Sequence, residues 1–330
     1  MEYRRLGNSG LQMGIISLGA WATFGETLNE EEAAALMAAA YDSGINFFDN
    51  ADVYGNGQAE QIMGCALRRL GWPRESYLVS SKVFWGAGLA APTAKGLSRK
   101  HVFDACHAAL KRLRVDYLDL YFCHRFDPET PLEETVRAMS DLVSQGKVLY
   151  WGTSEWSAQQ ILEARAIAQQ QLLVGPITEQ PKYNLLHRQR VELEYLRLLQ
   201  LGMGMTIWSP LASGFLTGKY NHGFPEDARL SKSSYQWVLE RTVSGDLNKT
   251  LELVRRLTAF AAELNTNLAR LAVAWCLKNP YVSTAITGAS SPRQLRDTLG
   301  ALEVIPLLTP QVIEHLEAIL GNKPFPPEPA

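Results

Sequence analysis

The feature that most constrains this chain is a repeated alternation. Short apolar, β-prone runs stand at residues 15–18, 45–48, 77–81, 117–122, 149–152, 177–180, 205–208 and 284–287, separated by longer segments. Runs this short suit strands buried on both faces, as a parallel sheet requires. Eight of them alternating with helices favour a closed (β/α)8 TIM barrel over a doubly wound sheet. The intervening segments carry helix signals of their own. Asn29 precedes Glu30, Glu31 and Glu32, a cap ahead of an acidic first turn. An Ala-rich run over 33–41 follows, and Gly44 ends it. Over 99–113, Val102, Phe103, Cys106, Ala109, Leu110 and Leu113 fall at helical spacing. Residues 130–143, 158–168, 191–201, 251–264 and 268–277 read the same way.

Two stretches lie outside the repeat. Residues 3–13 hold Gly7-Asn8-Ser9-Gly10 between β-prone residues and read as a hairpin, placed to plug the bottom of the barrel. Residues 210–246 are long, with Gly, Pro and Ser throughout. A loop of that length in a compact fold is usually functional. No linker or low-complexity segment interrupts the chain, so 1–330 reads as one barrel domain, with a loose Pro-rich tail over 323–330.

Composition narrows the partners. A formal net charge of −2 leaves no basic surface for nucleic acid. The cysteines Cys65, Cys106, Cys123 and Cys276 are scattered and form no CxxC pair, which argues against a metal site or a disulfide framework. Reduced thiols fit a cytoplasmic protein. Met1-Glu2-Tyr3-Arg4-Arg5 lacks the apolar run of a signal peptide. No stretch approaches the roughly 18 apolar residues that span a bilayer, so no direct membrane insertion is expected.

In a barrel the chemistry sits where strands end and βα loops begin. Asp49 follows the second expected strand and Tyr54 lies five residues on; Lys82 follows the third, and His124 lies just past the fourth. Closure brings these four together. A tyrosine has an ordinary pKa of about 10, high for proton donation at neutral pH. A neighbouring lysine cation lowers it, and a carboxylate keeps that lysine charged and in place. A histidine donates a hydrogen bond to a substrate oxygen. The set suits carbonyl reduction, in which carbon takes a hydride and oxygen takes a proton. Each residue alone has a plainer reading. Asp49 also reads as a turn cap, Tyr54 as an exposed loop aromatic, Lys82 as a solvated charge and His124 as a structural histidine. The case rests on the four in register.

The spacing Asp49-x4-Tyr54, then Lys82, then His124, resembles the catalytic tetrad of the aldo-keto reductases. Within that superfamily the chain most resembles the group that holds the β-subunits of voltage-gated potassium channels and their microbial relatives. Tyr3-Arg4-Arg5-Leu6-Gly7, Gly96-Leu97-Ser98-Arg99-Lys100, Tyr150-Trp151-Gly152-Thr153-Ser154, Trp208-Ser209-Pro210-Leu211 and Tyr235-Gln236-Trp237 carry the likeness from end to end. The resemblance implies Tyr54 as general acid, Lys82 depressing its pKa, Asp49 anchoring Lys82 and His124 orienting the carbonyl. Channel β-subunits typically carry asparagine where His124 stands, which argues for an enzyme first.

The cofactor implied is NADPH, held extended across the barrel rim. Gly55-Asn56-Gly57 and Gly202-Met203-Gly204 both lack the GxGxxG pattern, so a Rossmann site is not expected. By the resemblance, Gly19, Trp21 and Asp49 lie beside the cofactor, Ser154 and Gln180 bind its nicotinamide amide, and Trp208 stacks on the ring. Ser209, Pro210, Leu211, Ser213, Gly214 and Lys219 line the pyrophosphate, and the 210–246 loop clasps it. Arg229, Gly288, Ser290 and Gln294 hold the adenosine 2′-phosphate, and Asp297 and Thr298 the adenine. Cations and helix-start N–H groups suit phosphate. Two departures stand out: Glu155 replaces an arginine of the channel subunits, and Asp297-Thr298 replaces the common Glu-Asn. Trp21, Tyr54, Trp85 and His124 bound the substrate pocket and suit an apolar or aromatic carbonyl compound. Relatives of this group are often tetramers, so a homo-oligomer is expected. The competing readings are a redox-sensing channel subunit and an aldolase using Lys82 as a Schiff-base amine.

Overall fold

The computed structural model describes residues 1–325 other than 227 and 244. The expected tail therefore lies mostly outside the described residues. A two-stranded antiparallel hairpin, β1 (Tyr3–Arg5) and β2 (Gln12–Gly14), opens the chain. The barrel strands are β3 (Ile16–Gly19), β4 (Phe47–Asp49), β5 (Leu78–Val83), β6 (Leu118–Cys123), β7 (Val148–Thr153), β8 (Thr178–Glu179), β9 (Gly204–Trp208) and β10 (Thr284–Thr287). They pair in parallel in chain order, and β10 returns to β3 and closes the barrel. This is the (β/α)8 fold expected, with all eight runs recovered as strands. Asp49 and Lys82 lie inside their strands rather than after them, because β4 and β5 extend one or two residues further than the apolar runs.

The surrounding helices are α1 (Glu30–Asp42), α2 (Gln58–Leu70), α3 (Arg99–Leu113), α4 (Leu132–Ser144), α5 (Ala158–Gln170), α6 (Leu196–Gln200), α7 (Gln236–Thr242), α8 (Leu247–Glu263), α9 (Leu268–Lys278), α10 (Pro292–Leu299), α11 (Ala301–Val304) and α12 (Pro310–Leu320). Asn29 caps α1 in a full capping box with Glu32. The helix expected over 191–201 is broken: a π turn over Arg190–Glu194 precedes the short α6. That turn lets Arg190 reach Glu155 at 2.7 Å and the Trp156 carbonyl at 2.7 Å.

The hairpin plugs the barrel. Leu6 and Met13 are fully buried among Phe47, Leu78, Leu120, Phe122 and Ile286. Gly7 has φ +56°, and a Cβ there would lie 2.3 Å from the Gly202 carbonyl oxygen. The Asn8 N–H donates to that same carbonyl at 2.9 Å. Gly202 stands just ahead of β9, so the plug seals the end where strands begin and leaves the opposite mouth open.

The 210–246 stretch is not a plain loop. It holds a helical turn over Ala212–Thr217, two single turns and α7. Its second half returns across the mouth to the loop after β3. Tyr235 donates its hydroxyl to Glu26, and Trp21 meets Tyr235 and Trp237 edge-on with centroids at 6.5 and 6.3 Å. We call this segment the strap.

Candidate active site

Asp49 ends β4 and Lys82 stands near the end of β5, so both side chains reach the mouth end of the barrel. The Lys82 ammonium is wholly buried and donates to Asp49 Oδ2 at 2.6 Å and to the Asn50 carbonyl at 2.7 Å. Ser80 and Gln180 donate to the other Asp49 oxygen at 2.8 and 3.1 Å. A buried charge pair is tolerated only when its remaining lone pairs are satisfied, and here they are. Burial disfavours the Lys82 ammonium, yet the Asp49 carboxylate and Tyr54 outweigh it and hold its pKa above the ordinary value. Lys82 therefore stays charged.

Tyr54 sits in the turn after β4, where Gly55 and Asn56 both take positive φ. Lys82 Nζ lies 3.4 Å from its hydroxyl. Burial raises the Tyr54 pKa above 10, and the Lys82 cation pulls it down without overcoming burial. The net direction differs from the lowering that the lysine alone implies, because the desolvation of a phenolate is the larger effect. His124 follows β6, is buried, and packs edge-on against Tyr54 with centroids 5.9 Å apart. Burial first, then the Lys82 and Arg125 cations, push its pKa well below 6.5. Its imidazole is therefore neutral. Its Nδ1 is buried without a hydrogen-bond partner among the described residues. Trp85 packs edge-on against His124 at 4.7 Å. The four tetrad residues and Trp85 thus form one cluster at the mouth.

The remaining named residues fall in three places. Gly19 pairs with Asp49 across β3 and β4, and Trp21 lies under the strap. Ser154 donates to the Gln180 carbonyl at 2.9 Å. The Gln180 side-chain amide already donates to Asp49, so its nitrogen is engaged within the cluster. Trp208 donates its indole N–H to Glu155 at 3.0 Å. Glu155, at φ +60°, also accepts from the Lys182 N–H and Arg190, each at 2.7 Å. The departure at Glu155 therefore replaces a cation with a carboxylate that ties three elements together.

Ser209, Pro210, Leu211, Ser213, Gly214 and Lys219 form the turn after β9. Ser209, Ala212, Ser213 and Gly214 all take positive φ there. Non-glycine residues in that region cost about 1 kcal/mol or more each and cluster at ligand clamps. The Lys219 ammonium lies 5.0 Å from the Tyr220 ring centre. Arg229 holds its guanidinium over the Trp21 and Tyr235 rings at 5.3 and 5.7 Å.

Beyond Gly288, past the end of β10, a cavity of about 670 Å³ opens along α10. Arg270, Ser291, Arg293, Gln294, Arg296 and Asp297 line it. Ser290 donates to Gln294 at 2.9 Å. Asp297 pairs with Arg270 at 3.0 Å, while Thr298 is buried and bonded back to the Gln294 carbonyl at 3.1 Å.

Sequence reasoning missed several residues. Ser80 orients Asp49 from within β5. Glu179 is fully buried beneath Glu155, whose N–H it accepts at 2.6 Å, and burial pushes its pKa up to about 8. Asp52 is buried below the Tyr54 turn, and burial followed by the Glu60 charge raises it to about 7. Arg125, directly after His124, lies over the Trp85 ring at 4.9 Å. For Arg125, Glu179 and Asp52 an acid or cation within two residues of a motif residue was the one available signal, although it says nothing of their roles; Ser80 offered none.

A parallel eight-stranded barrel with a buried Asp–Lys pair, a tyrosine and a neutral histidine at its mouth is the frame of an oxidoreductase. The family model described as Aldo/keto reductase family matches residues 15–320, and the chain belongs to that family. A rice (Oryza sativa subsp. japonica) protein named "Probable voltage-gated potassium channel subunit beta" is 52% identical over 326 residues, covering 98% of each chain. An Arabidopsis thaliana protein of the same name is 50% identical over 330 residues, covering 99% of each. Among the described residues no helix is long and apolar enough to cross a membrane.

Proposed function

We propose that this protein reduces aldehydes and ketones to alcohols with NADPH, with Tyr54 as the general acid. The observation that carries the reading is the buried chain of contacts from Asp49 to Lys82 to Tyr54, with neutral His124 against the phenol. The residues also fit the cofactor. The cavity along α10 gathers Arg270, Arg293 and Arg296 beside a helix start, a setting for phosphate.

When bound, NADPH supplies the hydride. The protein's own part is proton and charge handling. The raised Tyr54 pKa keeps the phenolic proton in place at neutral pH, ready to pass to the substrate oxygen. Lys82 then faces the phenolate and stabilises its charge. Asp49 holds Lys82 on axis, and His124 donates a ring N–H to the same oxygen. Trp21 and the strap keep bulk water from the mouth, which strengthens each of these interactions.

NADPH oxidation with 4-nitrobenzaldehyde tests the reading. Tyr54→Phe is expected to lower kcat/KM by about 10²–10⁴-fold, the range for general acid catalysis, while NADPH binding persists. Equal turnover in both proteins would sink the mechanism. The names of the rice and Arabidopsis proteins support a second reading, a cofactor-binding channel subunit. Tight NADPH binding with no turnover of any carbonyl probe would favour it. Under either reading the protein works in the cytoplasm, and by resemblance as a tetramer, which sedimentation velocity would check.

A further inference from the structure

We propose that Arg125 and Arg241 form an anion clamp at the barrel mouth, so that the site selects carbonyl compounds carrying a carboxylate or similar anion. The inference rests on the reading of the mouth as a reductase site. Arg125 leaves β6 directly after His124; Arg241 is on α7 in the strap. Neither has a carboxylate within ion-pair distance among the described residues, whereas Arg112, Arg188 and Arg190 all do.

Each cation instead covers a tryptophan face, Arg125 on Trp85 at 4.9 Å and Arg241 on Trp237 at 5.6 Å. Trp85 is the ring that packs on His124. Arg125 is therefore one aromatic ring away from the group proposed to hold the carbonyl oxygen. The Arg125 guanidinium is anchored, donating to the His124 carbonyl. Arg241 is held through its backbone, whose carbonyl accepts from Lys182 Nζ at 2.7 Å and lies 3.2 Å from His187 Nε2. An anchored cation such as Arg125 loses little freedom on binding an anion, which favours affinity.

Burial lowers the proton affinity of Arg125; the Glu155 and Tyr54 charges oppose that, and the Arg241 cation adds to it. Glu155 is already engaged by Arg190, Lys182 and Trp208. Glu179, with its pKa near 8, carries little charge at neutral pH. A substrate anion between the two arginines would relieve their repulsion and form bidentate, charge-assisted hydrogen bonds.

The test compares 4-carboxybenzaldehyde with benzaldehyde under NADPH. Wild type is expected to favour the carboxylate substrate in kcat/KM by about tenfold or more, a preference that weakens with added salt. Arg125→Gln and Arg241→Gln should each cut that ratio by about tenfold, mostly through KM, and Arg125→Lys, which keeps the charge but not the fork, should restore only part of it. A ratio near one in wild type, or one untouched in both glutamine variants, overturns the clamp. If neither aldehyde turns over, quenching of tryptophan fluorescence by 4-carboxybenzaldehyde decides. Binding lost in Arg125→Gln keeps the clamp while the reductase reading fails; absent or unaltered binding overturns the clamp.

Discussion

Burial acts in opposite directions on Tyr54 and His124, and both directions leave the neutral form. The phenol keeps its proton and the imidazole does not gain one, so the mouth presents a proton donor and an uncharged hydrogen-bond donor across neutral pH. The buried carboxyls have a different consequence. Glu179 has a folded pKa of about 8 against an ordinary 4.5, so the folded chain binds a proton that the unfolded chain releases. That contribution to stability is full below about pH 4.5 and is lost as pH rises through about 8. Asp52 follows the same sign between about 3.8 and about 7. Glu179→Gln removes the proton exchange. Its melting temperature should therefore gain on wild type between pH 5 and pH 8.5, as read by differential scanning calorimetry; a constant difference would refute the assignment.

At the scale of elements, the strap is held from within by buried residues such as Leu230 and Val238, and at its exposed edge by aromatic contacts. Trp237 is about half exposed and touches Trp21 by an edge-on packing at 6.3 Å. Such a pair is worth about 1 kcal/mol, so Trp237→Ala should raise the NADPH Kd by roughly fivefold in a fluorescence titration. The elements also show where sequence reading works. The eight strands were legible because continuous apolar runs bounded by turns have few other fates. Helix α2 escaped notice because Gly64 sits mid-segment and reads as a breaker. In the fold, a Cβ at Gly64 would lie 2.3 Å from the Arg112 carbonyl oxygen, so the glycine serves close packing of α2 on α3. The strap read as a loop because its turns are short and lack periodicity. The tetrad was legible because strand ends converge in any barrel. Arg125, Glu179 and Ser80 were not, because their roles depend on which neighbours closure supplies.

Across the whole molecule, the sealed end and the ionisable cluster lie opposite one another. The hairpin buries Leu6 and Met13 at the closed end, while the ionisable cluster and the strap lie at the other. Leu6→Ala should cost about 2–5 kcal/mol in urea unfolding, the usual range for a buried leucine, with kcat/KM little altered. A large loss of activity in a variant that is still folded would mean that the two ends are coupled. The hairpin also sets how the molecule can be handled. Met1 packs against Gly14 and Gly44, beside the strands' starting ends. A chain grafted ahead of Met1 emerges at the face away from the mouth. Protein tethered there to a bead or sensor chip would point its open end outward, into the flowing solution.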